Sequence, residues 1–433
     1  MKKYDSYKDS GVEWIGEIPS HWEVKRGKEV LKFSNGYPFN SGLFSMDENE
    51  GFPLVRIRDL KSDKITTFYK GEIVRDALIH DNDFIIGMDG DFNIVKWHKG
   101  KALLNQRLCK IEGVNHLETN YLSYSLPFYL KIINDLTYYT TVKHLSNNDL
   151  FEQKFLVPNS QEQTTIANYL DKKTTQIDHL IAKKEQFIQL LEEERVAVIN
   201  QAVTKGLDPS VPMKDSGIEW LGEMPEHWEI AKVKRLSALI SKGTTPSTVG
   251  KEVSDKGEIR YLKSENIVDN QLLNTPEFYI DNETNQILKR SILEINDVLI
   301  VIAGASIGKV AILTDDFYPS NTNQAVSFIR LKNPNSSCFV WYWLQSSYIK
   351  ERISLDATQS AQPNLSMESI GNFYIPKISI EEEQDIMTFL TQKTKDIDVI
   401  ISKTKQEIEL LKEYKTALIS EVVTGKVDVR EAL

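Results

Sequence analysis

The sequence predicts an α+β protein built from two similar globular units that are separated by two long helices packed as an antiparallel coiled coil. Three observations predict it. First, KDSGVEWIGEIPSHWEV at 8–24 returns as KDSGIEWLGEMPEHWEI at 214–230, with twelve of seventeen positions identical and four more exchanging one apolar residue for another. Second, a helical stretch near 160–206 returns near 380–426, offset by 220 residues. Third, a segment of short β-rich runs broken by Gly, Asp and Asn lies between each motif and its helix. Motif, globular segment and helix therefore occur twice in the same order, as an internal repeat with pseudo-twofold character.

The helices are read from their apolar spacing. Ile166, Leu170, Ile177, Ile181, Ile188, Leu191, Val198 and Ala202 mark one face of the first stretch. Adding 220 gives Ile386, Leu390, Ile397, Ile401, Ile408, Leu411, Leu418 and Val422, all apolar again. Steps of three, four and seven are the seam of a coiled coil. Pro158 and Pro376 stand just before the stretches, Gly206 and Gly425 close them, and neither Gly nor Pro interrupts them. A helix of about 44 residues is roughly 66 Å long. Such a helix needs a partner, and the other copy supplies a matching seam.

The globular segments match each other weakly. PLVRIRDLKSDKIT (53–66) corresponds to IRYLKSENIVDNQL (259–272), the run at 78–97 to that at 292–312, and LLNQRLCKIEG (103–113) to NTNQAVSFIRL (321–331). Helical pieces follow at about 117–135 and 337–353. A polar loop and a last short strand then lead into each long helix. Much antiparallel strand is expected. The domain limits are 1–23 for the first frame motif, 24–157 for the first globular domain and 158–206 for the first long helix. The repeated motif with its linker follows at 207–229, the second globular domain at 230–375 and the second long helix at 376–433. The offset grows from 206 to 220, so about 14 extra residues are expected to lengthen a loop of the second domain. Tightly kept frames around divergent loops suggest one scaffold with two binding specificities.

Composition narrows the function classes. Hydrophobic content of 41% with 26% charged residues fits a soluble globular protein, and no apolar run is long enough to span a bilayer. The lysines near the N-terminus have no apolar segment behind them, which argues against a signal peptide. Cys109 and Cys338 lie far apart without metal-ligand spacing and read as inert thiols of a reducing compartment, so a cytoplasmic location is expected. The net charge of −10 is unevenly spread. Residues 24–157 carry +1 and 230–375 carry 0, while the helical segments hold the acidic excess. Overall acidity therefore does not exclude DNA.

Catalytic signatures are missing. GASIGKV (304–310) is one residue short of a phosphate loop, and Val310 stands where Ser or Thr would hold magnesium, so a strand–turn–strand with Gly308 in the turn is expected. Asp89 and Asp91 near Lys96 resemble a nuclease cluster, but the second copy has Ala303 and Ala305 there, so a turn is the better reading. No catalytic, metal-binding or cofactor-binding constellation is read anywhere in the chain. That favours a binding or assembly role.

The combined pattern resembles the specificity subunit of type I restriction–modification enzymes. The motif at 9–23 and 215–229 carries the resemblance, with the pairs Asn105–Gln106 and Asn323–Gln324 and the proline-to-helix passages at 157–178 and 375–398. It covers essentially the whole chain, twice and in order. It implies two target-recognition domains, each reading one half of a split, asymmetric site in double-stranded DNA. It also implies conserved helices that separate the domains, set the spacer and bind two modification (methyltransferase) subunits. Two restriction (translocase) subunits join these. S-adenosylmethionine, ATP and Mg belong to the partner subunits, and this chain is implied to carry no cofactor and no catalytic residue.

On that reading each domain must supply cations for phosphates and amides or guanidiniums for bases. The first domain offers Tyr37, Asn40 and Ser41 of the loop 35–41, then Arg56, Arg58 and Lys61, and Thr141, Lys143 and His144 of the loop 140–144. The second offers Lys242, Thr244, Thr245 and Ser247 of the loop 241–247, then Lys263 and Asn266, and Gln359, Gln362 and Asn364 of the loop 358–364. Gly36 aligns with Gly243. Trp14, Trp22, Trp220 and Trp228 are expected to clamp the frame motifs onto the helix ends. Two other readings compete. One is a coiled-coil scaffold with two ligand-binding ends, and the other a self-contained nuclease or methyltransferase.

Overall fold

The computed structural model describes residues 2–136, 144–219, 221–358 and 364–432. The chain divides into two compact units, Met1–Lys184 with Gln406–Leu433, and Glu185–Lys405. Both divisions fall inside the long helices, Ser160–Lys205 and Ile380–Val423. Each unit therefore owns the first half of one long helix and the last half of the other.

In the first unit the frame motif folds as a hairpin, Tyr7–Asp9 against Glu17–Pro19. Glu23–Arg26 pairs with Lys154–Val157, the strand that leads into the first long helix. Four antiparallel strands form the central sheet in the order Ile94–Lys96, Phe84–Gly87, Leu108–Gly113, Leu31–Asn35. Its inner strand Phe84–Gly87 is buried along its whole length because both of its faces are covered. Phe84, Ile86, Cys109 and Ile111 pack with Leu122 and Leu126 of the helix Thr119–Leu136. Ile85 and Leu108 face the other way, onto Val55, Trp97 and Leu104. There a second sheet sets Phe52–Val55 parallel to Ala102–Leu104.

The second unit repeats this plan. Met213–Asp215 pairs with Glu223–Pro225, and Glu229–Lys232 with Tyr374–Lys377. The central sheet runs Ser237–Lys242, Val326–Leu331, Val298–Val301, Val310–Ile312. Val298 and Ile300 face Trp343 and its helix, whereas Leu299 and Val301, with Phe328 beside them on the next strand, face Leu262. Ile259–Leu262 runs parallel to Ser320–Thr322. One parallel pairing per unit is thus set into the antiparallel strand that the sequence predicts.

Three expectations need correction. The helical piece at 337–353 is two helices, Ser337–Leu344 and Ser347–Thr358, because Ser346 Oγ accepts from Ile349 N and starts a new helix. The 14 extra residues do not lengthen one loop. Equivalent positions are 206 apart at Trp22/Trp228, 207 at Arg56/Lys263, 214 at Asp83/Asp297, 218 at Asn105/Asn323 and 220 at Glu162/Glu382. The additions are small and scattered, and one of them includes the short helix Asn282–Ile287. Trp14 packs on Phe128 and Tyr129 of the globular domain, with ring centroids 5.6 and 5.7 Å away, and does not reach a helix end. Trp220 lies outside the described residues.

Trp22 and Trp228 do clamp helix ends, and each is fully buried. Trp22 Nε1 donates to Glu162 Oε1 at 3.1 Å, and the His21 ring meets Glu162 Oε2 at 2.8 Å. In the second unit Trp228 Nε1 donates to Glu382 at 2.9 Å and the His227 ring lies 3.0 Å from it. Asn159 and Ser379 cap the same helices through the backbone N–H of Glu162 and Glu382. The opposite helix end arrives at the same tryptophan. Gly425 lies against Pro19 and Trp22, and Gly206 against Trp228 and Pro225. Both glycines sit at positive φ, +75° and +74°, as left-handed helix stops do.

Within each unit the two helices run antiparallel. Lys415 bonds Asp178 at 2.7 Å in the first unit, where Lys184 also meets Glu407, and Arg195 bonds Asp398 at 3.1 Å in the second. Every seam residue read from the sequence is buried or half-buried. Burying each such side chain stabilises by about 1.5–3 kcal/mol relative to exposure. Thr174 and Thr394 complete the seam where it steps by seven. Their hydroxyls lie 3.5 and 3.0 Å from the phenols of Tyr124 and Tyr342, which dock each globular domain on its helix.

Candidate nucleic-acid interface

A ladder of main-chain bonds gathers four separate loops at one edge of each globular domain. In the first unit Asn105 N–H donates to Val55 O at 3.1 Å, which places the Asn105–Gln106 pair beside Arg56. Gly36 N–H donates to Leu108 O and Tyr37 N–H to Leu104 O. Met88 N–H donates to Arg107 O at 2.9 Å, and Leu145 N–H to Met88 O at 2.7 Å. Tyr37, Arg56, Gln106, Arg107, Asp89 and His144 thereby become neighbours along one polar edge.

The second unit builds the same edge. Asn323 N–H donates to Leu262 O at 3.2 Å beside Lys263, Gly243 N–H to Val326 O, and Thr244 N–H to Thr322 O. Ile302 N–H donates to Ala325 O and Leu365 N–H to Ile302 O, both at 2.8 Å. The glycines are required by crowding. A Cβ on Gly36 would lie 2.1 Å from Asn105 O, and one on Gly243 2.1 Å from Thr322 O. Tyr261 pins the glycine loop, donating its hydroxyl to Thr244 O at 2.9 Å, and burial pushes that phenol far above its usual titration range.

The side chains on this shared frame differ. In the first unit Arg56 and Arg107 are exposed, and Arg107 Nη1 lies 3.5 Å from Asp89 Oδ1. Asp89 also holds the His144 ring through Nδ1 at 2.7 Å. The suspected acidic cluster is thus a turn whose carboxylate organises a histidine and an arginine. In the second unit Ala303, Ala325 and Asn364 occupy the same places, and Lys263 stands over the Phe278 ring with Nζ 3.3 Å from its centroid. One edge is rich in guanidinium and imidazole, the other in amide, hydroxyl and methyl.

Tyr37 is 47% exposed and leans on buried Phe39. Asn40 accepts from Gly42 N–H at 2.9 Å and so caps a short turn in which Ser41 is exposed. Arg58 is turned onto the hydroxyls of Thr66 and Thr67, at 3.3 and 3.1 Å, and Lys61 is exposed beyond it. Lys242 and Ser247 are exposed, while Thr244 and Thr245 are half-buried. Asn266 does not belong at a surface. It is fully buried, accepts from Lys263 N–H at 3.0 Å and donates to the carbonyls of Leu273 and Pro276. Its counterpart is Asp59, equally buried and bonded to Arg56 N–H at 2.9 Å, so both close the turn that carries the cation. Thr141, Lys143, Gln359 and Gln362 lie outside the described residues.

Sequence reading overlooked Arg107, which is separated from Asp89 by 18 residues and joined to it only through strand pairing. It also overlooked Glu162 and Glu382, although each stands three residues after a capping Asn or Ser, a legible helix-start signal. Among the described residues no group of His, Cys, Asp and Glu could hold a metal ion, and no helix is long and apolar enough to cross a membrane. Burial pushes the Cys109 thiol up to about 12, in keeping with an inert core residue.

Comparisons with known proteins agree with this architecture. The family described as "Type I restriction modification DNA specificity domain" matches residues 19–190 and again 225–410. The specificity subunit of the type I restriction enzyme EcoBI of Escherichia coli is 29% identical over 429 residues, spanning 96% of this chain and 89% of that protein. The MjaVIII specificity subunit of Methanocaldococcus jannaschii is 24% identical, spanning 95% and 94%. Among solved structures, a chain from a type I R-M system studied for complex assembly and conformational transition is similar with a TM-score of 0.71 at 14% identity, over 95% of this chain and 99% of that one. The HsdS subunit of Thermoanaerobacter tengcongensis is similar with a TM-score of 0.52 at 15% identity, over 95% and 98%. With two matched segments that together span most of its length, the chain belongs to the type I restriction–modification DNA specificity family.

Proposed function

We infer that this chain selects the DNA sequence on which a type I restriction–modification complex acts, with each globular domain reading one half of a bipartite, asymmetric site. One observation carries the reading. The same main-chain frame is built twice and carries chemically different side chains each time, as two readers of unlike half-sites require. Phosphate contacts from exposed cations would position each domain, and the polar edge would read bases. The chain contributes selection and no chemistry of its own. Methyl transfer and cleavage belong to modification and restriction subunits, as the resemblance implies.

The long helices are read as the element that sets the spacer and docks the modification subunits. Leu180, Leu190, Ile400 and Leu410 support docking. They are exposed, apolar and spaced alike on the two helices, outside the seam. The test is selection from random duplex DNA by the full chain with its modification subunit. A split motif is expected. Exchange of 24–157 for a relative's segment should alter one half and leave the other. Enrichment of no motif, or alteration of both halves together, overturns the reading.

A further inference from the structure

We propose that Arg107, held by Asp89, reads a guanine in the half-site of the first domain, and that the second domain has no equivalent contact. The proposal rests on the DNA reading above and adds to it a residue and a base.

Arg107 is 55% exposed as a side chain, so it can be reached by a ligand, whereas Asp89 is 24% exposed. The carboxylate's Oδ1 lies 3.5 Å from one guanidinium nitrogen, and the same oxygen is held by the His144 ring at 2.7 Å. A long side chain free on a surface loses rotamer entropy when it binds, and one already tethered loses less. The carboxylate also decides what the arginine can bind. Next to a phosphate, Asp89 would repel the ligand that Arg107 attracts, so the pair is poorly suited to backbone neutralisation. A base edge is a neutral dipole with no such conflict. The O6 and N7 acceptors of guanine match the planar fork of arginine bidentately.

The internal repeat provides the control. The bonds that place Arg107 beside residue 89 and the 144–145 segment recur around Ala325, Ala303 and Asn364. Arginine and carboxylate are both replaced by alanine on an unchanged frame, as expected if they act as one unit.

The experiment is duplex selection by the full chain with its modification subunit, comparing wild type with Arg107→Ala, Arg107→Lys and Asp89→Asn. Wild type is expected to require guanine at one position of one half-site. Arg107→Ala should lose that requirement, with discrimination falling roughly ten- to hundredfold there and nowhere else. Arg107→Lys keeps the charge but not the fork and should lose it too, with the salt dependence of binding retained. Asp89→Asn should weaken discrimination at the same position. An unchanged motif with uniformly weaker binding in Arg107→Ala would make Arg107 a phosphate contact and overturn the assignment while the DNA reading stands. If wild type itself selects no motif, the DNA reading falls and this assignment with it.

Discussion

Trp22 donates its indole N–H to Glu162 at 3.1 Å, joining the end of the frame motif to the first turn of a long helix 140 residues away. The carboxylate is only 2% exposed and serves the His21 ring as well. Glu162→Ala leaves a buried donor without its acceptor, at a cost of about 1–3 kcal/mol. Glu382, the counterpart, is 28% exposed, so water can replace its carboxylate in part. Urea unfolding of the full chain should show a larger loss for Glu162→Ala than for Glu382→Ala.

The helix stops also differ. A Cβ on Gly425 would lie 2.3 Å from Pro19 Cδ and 3.2 Å from Trp22, whereas one on Gly206 meets nothing closer than 3.4 Å. Both positions carry the strain of positive φ. Gly206→Ala should cost about 1 kcal/mol for backbone strain alone, and Gly425→Ala a further 1–3 kcal/mol or so for overpacking. Thermal unfolding of the two variants checks the order.

Glu383 offers a pH test. It is the counterpart of Gln163, which is fully buried and bonds the carbonyls of His116 and Pro158. Burial raises the Glu383 carboxyl above its ordinary range, opposed by the hydroxyl of Ser336 at 2.6 Å. A raised folded value means that the folded state holds its proton more tightly than the unfolded one. Stability from this group is therefore present at low pH. It is lost as pH rises from about 4.3, the unfolded value, through the higher folded one. Glu383→Gln keeps an acceptor for Ser336 and removes the titration. It should gain a little stability at neutral pH and nothing near pH 4, seen as a flatter profile of unfolding midpoint against pH.

Gly36→Ala and Gly243→Ala test whether the polar edges read DNA as proposed. Each inserts a methyl group about 2.1 Å from a backbone oxygen, which cannot move without breaking the ladder. Gly36→Ala should blur selection of the first half-site and Gly243→Ala that of the second, measured in the same duplex selection.

The seam was fully legible because apolar periodicity is local, and all fourteen isoleucine, leucine and valine positions from Ile166 to Val198 and Ile386 to Leu418 are buried or half-buried. The frame repeat was legible because its residues make the same contacts twice, as Trp22 and Trp228 do. The polar edge was legible only as loops. Asn266 looked like a base reader because composition cannot separate an amide facing solvent from one turned inward to cap a turn. Its equivalence to Asp59 emerges from the parallel strand pairing. Arg107 was invisible for the converse reason. Nothing near it in sequence is unusual, and its partner Asp89 arrives across a sheet.

The ladder that gathers Tyr37, Arg56, Arg107 and His144 is made of main-chain amides and carbonyls. An amide bonds alike whatever side chain its residue bears. Substitution at these exposed positions therefore leaves the frame intact, as the change from Arg107 and Asp89 to Ala325 and Ala303 within this one molecule demonstrates. Innovation in what is read is separated from risk to folding. If this edge reads DNA as proposed, new recognition sequences can be sampled one residue at a time, in either domain, on a frame that is kept.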